Sequence, residues 1–161
     1  MKKQQIFPAA IFVGFGLYLL LQQKDVPFFS SFQSWPSLLA IVGIGFLLQG
    51  YKGKDSDAIL PGTIFLGLGI HFGLSVRMDV WPDHAGAFLL IIALGFLLRY
   101  QKTGTGMPNG LLFLLISALL LFKDKIPAII PGSNAASVIG ELWPIIFIAI
   151  GALLFITGGK K

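Results

Sequence analysis

The chain has 161 residues, of which 55% are hydrophobic and only 12% charged. A soluble domain carries about 25% charged residues, so a water-exposed globule is excluded. There is no cysteine, which removes disulfide frameworks, thiolate metal sites and cysteine nucleophiles and leaves the redox compartment unread. The formal net charge of +5 comes from basic residues scattered singly and in pairs between apolar blocks. No basic stripe interleaved with aromatics appears, so nucleic acid is excluded as a partner, and the charge reads instead as a topology signal.

Met1-Lys2-Lys3 leads into the first apolar run, Ile6–Gln22. This start resembles a secretory signal, but the run ends in Gln22-Gln23-Lys24-Asp25 rather than a small-x-small site. Five comparable runs follow, so a retained first helix is expected. These are Trp35–Gln49, Leu60–Val76, Pro82–Leu98, Pro108–Phe122 and Leu142–Thr157. Each is about 15 to 17 residues, or about 23–26 Å as α-helix, against a hydrocarbon core of about 30 Å. Polar flanks such as Gln4, Gln5 and Gln22, or local thinning of the bilayer, make up the difference. The expected fold is an all-α integral membrane protein with six short transmembrane helices, over 6–22, 35–49, 60–76, 82–98, 108–122 and 142–157, in a single membrane domain.

Charge distribution favours full crossings. Counting loops alternately, one set carries Lys2, Lys3, Lys52, Lys54, Arg99, Lys102, Lys160 and Lys161 against Asp55 and Asp57. The other carries Lys24, Arg77, Lys123 and Lys125 against Asp25, Asp79, Asp83, Asp124 and Glu141. The positive-inside rule then predicts a multi-pass protein with both termini cytoplasmic. Holding the doubly charged tips of the second set at the bilayer midplane would cost several kcal/mol per charge.

Three motifs recur in order along the chain. Proline opens or nearly opens each run, at Pro8, Pro36, Pro61, Pro82, Pro108 and Pro144, and Trp35, Trp81 and Trp143 immediately precede three of these. Proline in a first helical turn loses no intrahelical hydrogen bond, and tryptophan beside it suits the membrane interface. Small residues follow, as Gly14-Phe-Gly16, Gly43-Ile-Gly45, Gly67-Leu-Gly69, Ala93-Leu-Gly95, Ser117-Ala118 and Ala149-Ile-Gly151. In lipid such residues let helix backbones approach closely. Charged tips come third: Lys24-Asp25, Arg77-Met-Asp79 and Lys123-Asp124. Together these motifs define three tandem αα-hairpin repeats, 1–54, 55–104 and 105–161.

Candidate functional residues are few. His71 is the ionisable residue well inside an apolar run, where histidine serves either as a proton relay or as a neutral imidazole hydrogen-bonded to a neighbouring helix. Asp83 and His84 are adjacent and so point in different directions on a helix, and Asp83 is already explained by the helix dipole; Glu141 reads the same way. The tip charges Lys24, Asp25, Arg77, Asp79, Lys123 and Asp124 read as solvated ends or exposed ion pairs, worth about 0–1 kcal/mol each, with their recurrence permitting a shared outer-face role. The segments 28–32 and 126–131 read as loops dipping into the interface, and the long loop over 123–141 is the preferred place for recognition. No catalytic fingerprint, metal-ligand pair or phosphate-binding loop is present, so no cofactor is expected and the chain does not read as an enzyme.

Trp35-Pro36-Ser-Leu-Leu-Ala-Ile-Val-Gly43-Ile-Gly45-Phe-Leu-Leu and Trp143-Pro144-Ile-Ile-Phe-Ile-Ala-Ile-Gly151 resemble the LiaI/LiaF-like transmembrane region. That resemblance implies a bacterial inner-membrane protein of the cell-envelope stress response that acts as scaffold or regulator. Expected partners are the bilayer, a membrane or peripheral protein, and further copies of the chain. The alternative reading is a small transporter or channel, or a lipid-binding membrane protein; internal repeats suit transport, whereas the scarcity of polar midplane residues does not.

Overall fold

The computed structural model describes residues 5–24, 34–78, 84–123, 141–142 and 144–152. These are helical apart from turns and short connections, with no strand among them. The helices are α1 (Ile6–Gln23), α2 (Trp35–Lys52), α3 (Ile59–Ser75), α4 (His84–Thr103) and α5 (Met107–Leu121), followed by α6 over 144–152. A 3-10 turn, Ser56–Ala58, leads into α3. Among the described residues, three elements are long and apolar enough to cross a membrane: Ile6–Gln23, Ser56–Ser75 and His84–Thr103.

Several helices outrun the apolar segments that predict them. Helix α2 continues through Gln49-Gly50-Tyr51-Lys52 and α4 through Arg99-Tyr100-Gln101-Lys102-Thr103. Gln, Arg and Lys are good helix formers, and their long side chains carry the polar group away from the apolar surface. The end of an apolar run therefore marks the membrane edge rather than the end of the helix, which relieves part of the predicted shortness. Proline occupies the first or second position of α2 and α5, where the backbone N–H has no intrahelical acceptor to lose.

The helices alternate in direction and pack chiefly on their chain neighbours: α1 on α2, α2 on α3, α3 on α4 and α4 on α5. Packing is most extensive between α2 and α3 and between α4 and α5, so contacts continue across the sequence boundaries at 54/55 and 104/105. Glycine sets these approaches. Along α2 and α3, Gly50 lies over Ile59, Gly62 over Leu47, Gly43 over the backbone of Leu66, and Gly69 over Ala40 and Pro36. A Cβ on Gly69 would sit 2.7 Å from both Ala40 N and Pro36 O. The i, i+7 pairs Gly43/Gly50 and Gly62/Gly69 thus form facing recesses, each filled from the opposite helix.

The second glycine of each small-x-Gly step points elsewhere, because two residues along a helix turn it by about 200°. Gly45 faces Ile11 and Phe7 of α1, at 3.1 and 3.3 Å from a notional Cβ, whereas Gly43 faces α3. Gly67 faces Ile91 of α4 (2.6 Å), whereas Gly69 faces α2. Gly14 receives Ile41 of α2 and Gly95 receives Leu60 of α3. Among the described residues, Gly16 of α1 and Gly151 of α6 meet nothing within 4 Å.

Aromatic side chains follow the same order. Phe7, Phe46 and Phe65 link α1, α2 and α3, with ring centroids 4.3 and 5.9 Å apart. Phe96, Phe113 and Phe147 link α4, α5 and α6 at 5.7 and 5.9 Å. At the end of the bundle carrying the α2–α3 connection, polar groups join the helices. The Phe7 N–H at the start of α1 donates to Gln49 Oε1 of α2 (3.2 Å). Arg99 of α4 pairs with Asp57 of the 3-10 turn (2.6 Å), and Lys102 lies over the Tyr51 ring, 5.2 Å from its centroid.

Gly43→Ala is expected to destabilise the purified protein by about 1–3 kcal/mol, the usual range for forced overpacking, because the new methyl meets the Leu66 backbone and not a movable side-chain tip. Gly16→Ala is expected to be neutral or slightly stabilising. Thermal or SDS-titrated unfolding of both variants in one detergent distinguishes them, and equal stability would contradict the packing described.

Candidate functional site

The most polar junction inside the bundle lies near the end opposite the Arg99–Asp57 pair. His71, in the last two turns of α3, is 4% exposed. His84 opens α4 and faces solvent or lipid. Antiparallel packing across the intervening turn brings the rings level, with His71 Nε2 and His84 Nδ1 2.8 Å apart in a hydrogen bond. Such a bond needs one N–H donor and one bare acceptor nitrogen. It therefore serves two neutral imidazoles or a pair holding one extra proton, and a second extra proton would remove the acceptor.

Aromatic rings pack around His71. His71 packs edge-on against Phe72 and Phe88, at 5.3 and 5.2 Å between centroids. Phe72 and Phe88 lie 5.6 Å apart, and Trp35 of α2 covers Phe72 at 4.9 Å. The cluster thus joins α2, α3 and α4 through an apolar shell around one polar contact. A polar group buried without a hydrogen bond is costly, and His84 Nδ1 gives the Nε2 atom of the buried His71 a partner. Among the described residues, no three or more His, Cys, Asp or Glu side chains come together in a metal-binding group.

A second buried polar contact holds α4 to α5. Ser117 is fully buried and its hydroxyl donates to the Gly86 carbonyl over 2.9 Å. This gives Ser117, read from sequence as a small packing residue, an additional hydrogen-bonding part.

The remaining sequence candidates are dispersed. Lys24 is exposed just beyond α1, Arg77 is exposed just beyond α3, and Lys123 follows α5. Trp35 is 57% exposed at the start of α2, compatible with an interface position. Asp25, Asp79, Trp81, Asp83, Asp124 and Trp143, like most of the loop over 123–141 and the segments 28–32 and 126–131, lie outside the described residues. Sequence reading placed His84 beside Asp83 and missed its contact with His71. The available signal was positional: residue 71 lies near the end of one apolar run and residue 84 near the start of the next.

Residues 6–47, which form α1 and most of α2, match the LiaI-LiaF-like transmembrane region. Over its full length the chain is similar to YsxD, an uncharacterised membrane protein of Bacillus subtilis (strain 168), with 26% identity over 162 residues covering 100% of this chain and 98% of that protein. No solved structure matches the chain.

His84→Ala is expected to cost about 1–3 kcal/mol, because it removes the hydrogen-bond partner of the buried His71 Nε2 atom. Replacing both residues, as His71→Phe with His84→Ala, is expected to cost less than the sum of the single changes. A double-mutant cycle on unfolding measures that coupling; strict additivity would mean that the two rings do not depend on each other.

Proposed function

From the match of residues 6–47 to the LiaI-LiaF-like transmembrane region, we propose a non-enzymatic scaffold or regulator of partner proteins in the bacterial cell-envelope stress response. The proposed setting is the inner membrane with both termini cytoplasmic, which the excess of basic residues at one set of connections supports. The observation that carries the scaffold reading is the open edge at α1. In α2 and α3 both glycines of the Gly-x-Gly step receive a neighbouring helix, whereas in α1 Gly14 receives Ile41 and Gly16 receives nothing within 4 Å among the described residues. Phe12, Leu17 and Leu20 are exposed on the same helix. A transmembrane helix of a partner, or of a second copy, fits where the motif already seats helices within the chain.

The closely packed interior supports this reading over transport. Where α2 and α3 meet, backbone lies against backbone at Gly43, Gly62 and Gly69, and the polar contacts His71–His84 and Ser117–Gly86 run from helix to helix. Transporter sites usually have polar or interrupted helices at the midplane.

The test places a photo-crosslinking residue at Leu20 in native membranes, with and without cell-wall antibiotic, in otherwise wild-type and Gly16→Leu backgrounds. A discrete crosslinked protein that weakens at least severalfold with Gly16→Leu, while fold stability is unchanged, is the expected result. Crosslinks to lipid alone, together with ligand-specific flux through the purified protein in liposomes, would overturn the proposal.

A further inference from the structure

The chain has two histidines, and the fold sets them ring to ring, with His71 Nε2 2.8 Å from His84 Nδ1. Their surroundings differ. His71 is buried in α3 and packs edge-on against Phe72 and Phe88, whereas His84, the first residue of α4, is exposed. The bond therefore ties the end of α3 to the start of α4, and protons reach it through the exposed ring. Trp35 of α2 lies on Phe72, so a third helix depends on the same cluster.

The number of protons decides whether this bond survives. With no added proton, one ring donates and the other accepts. With one, an imidazolium donates to an imidazole, and a charge-assisted bond of this kind is roughly twice as strong as a neutral one. With two, both facing nitrogens carry N–H, no acceptor remains, and two like charges stand in contact at a partly buried site. The charged side chains that the described elements bring to this end of the bundle stand at helix ends: Lys24 after α1, Arg77 after α3, Lys123 after α5 and Glu141 before α6. The start of α2, Ser34-Trp35-Pro36-Ser37, brings none. Asp25, Asp79, Asp83, Asp124 and Lys125 lie outside the described residues. We propose that the His71–His84 pair is an acid-sensing latch, which keeps α3 and α4 docked with no extra proton or one and releases the start of α4 when a second proton binds. Histidine pairs suit such a task because their charge changes near physiological pH and biases the packing around them. The orientation proposed above puts the latch on the outer side of the membrane, but its chemistry depends neither on that orientation nor on a partner at α1.

The experiment uses the full wild-type chain in lipid nanodiscs, labelled with nitrogen-15 in histidine alone, so that the ring signals come from His71 and His84 only. A through-bond nitrogen–nitrogen correlation between His71 Nε2 and His84 Nδ1 is expected from about pH 8 downward through the range in which histidine takes up a proton. It is expected to survive the first proton and to vanish once both rings are imidazolium. Spin labels at Val76→Cys and Leu94→Cys, both exposed and introduced into a chain without cysteine, read the movement of α4 against α3. Their distance is expected to shift or broaden at the pH where the correlation is lost, and to stay constant with pH when His71→Phe and His84→Ala are combined. Asp83→Asn is expected to leave the transition in place. No correlation in the neutral wild type would overturn the proposal, as would an unchanged label distance after its loss. An acid-induced distance change that persists without the two histidines, or one that Asp83→Asn abolishes, would place the sensor elsewhere and overturn it equally.

Discussion

A glycine two residues from another glycine presents its bare backbone to the opposite side of the helix, since each residue turns the helix by about 100°. In lipid the apolar side chains gain little by leaving one environment for another like it, so close backbone approach and the dispersion contacts it permits hold helices together. The fold depends on these two facts jointly. In α2 and α3 each Gly-x-Gly step serves two neighbours: Gly43 and Gly69 join these helices to each other, Gly45 receives α1 and Gly67 receives α4. A motif of three residues therefore links helices in series.

The polar contacts act on this framework. His71 with His84, Ser117 with Gly86, and Gln49 with the Phe7 N–H each bridge two helices already held close by glycine or aromatic contacts. Between transmembrane helices such bonds contribute about 0.6–2 kcal/mol each, too little to assemble the bundle but enough to fix the rotation of one helix against the next. Phenylalanine fills the wider gaps. The Phe7–Phe46–Phe65 and Phe96–Phe113–Phe147 sets run across successive helices, which gives this abundant residue type a common structural task.

Much of this was legible in the sequence, and particular residues show where legibility ended. Each of the first five apolar runs overlaps a described helix, because hydrophobicity reports the membrane directly. Their ends were less well placed at Gln49 and Arg99, because polar residues continue a hydrogen-bonded helix beyond the apolar slab. The spacing of Gly43-Ile-Gly45 and Gly67-Leu-Gly69 identified packing residues, but not that the two glycines address different helices. His71 was singled out by its burial in an apolar run, while His84 was weighed only against its sequence neighbour. Contacts that depend on the register of two antiparallel helices, 13 residues apart in this case, are set by turn geometry that composition does not encode.

Because the chain has no native cysteine, introduced pairs report the helix order without background. The decisive measurement is oxidative crosslinking in membranes of Ile11→Cys with Gly45→Cys and, separately, of Gly67→Cys with Ile91→Cys, each compared with Ile11→Cys combined with Ile91→Cys. The account predicts rapid intramolecular disulfides in the first two proteins and none in the third, placing α1 and α4 on opposite sides of the α2–α3 pair. Failure of the Gly45 pair, or crosslinking between positions 11 and 91 as fast as in the neighbouring pairs, would contradict the two-sided use of the Gly-x-Gly step.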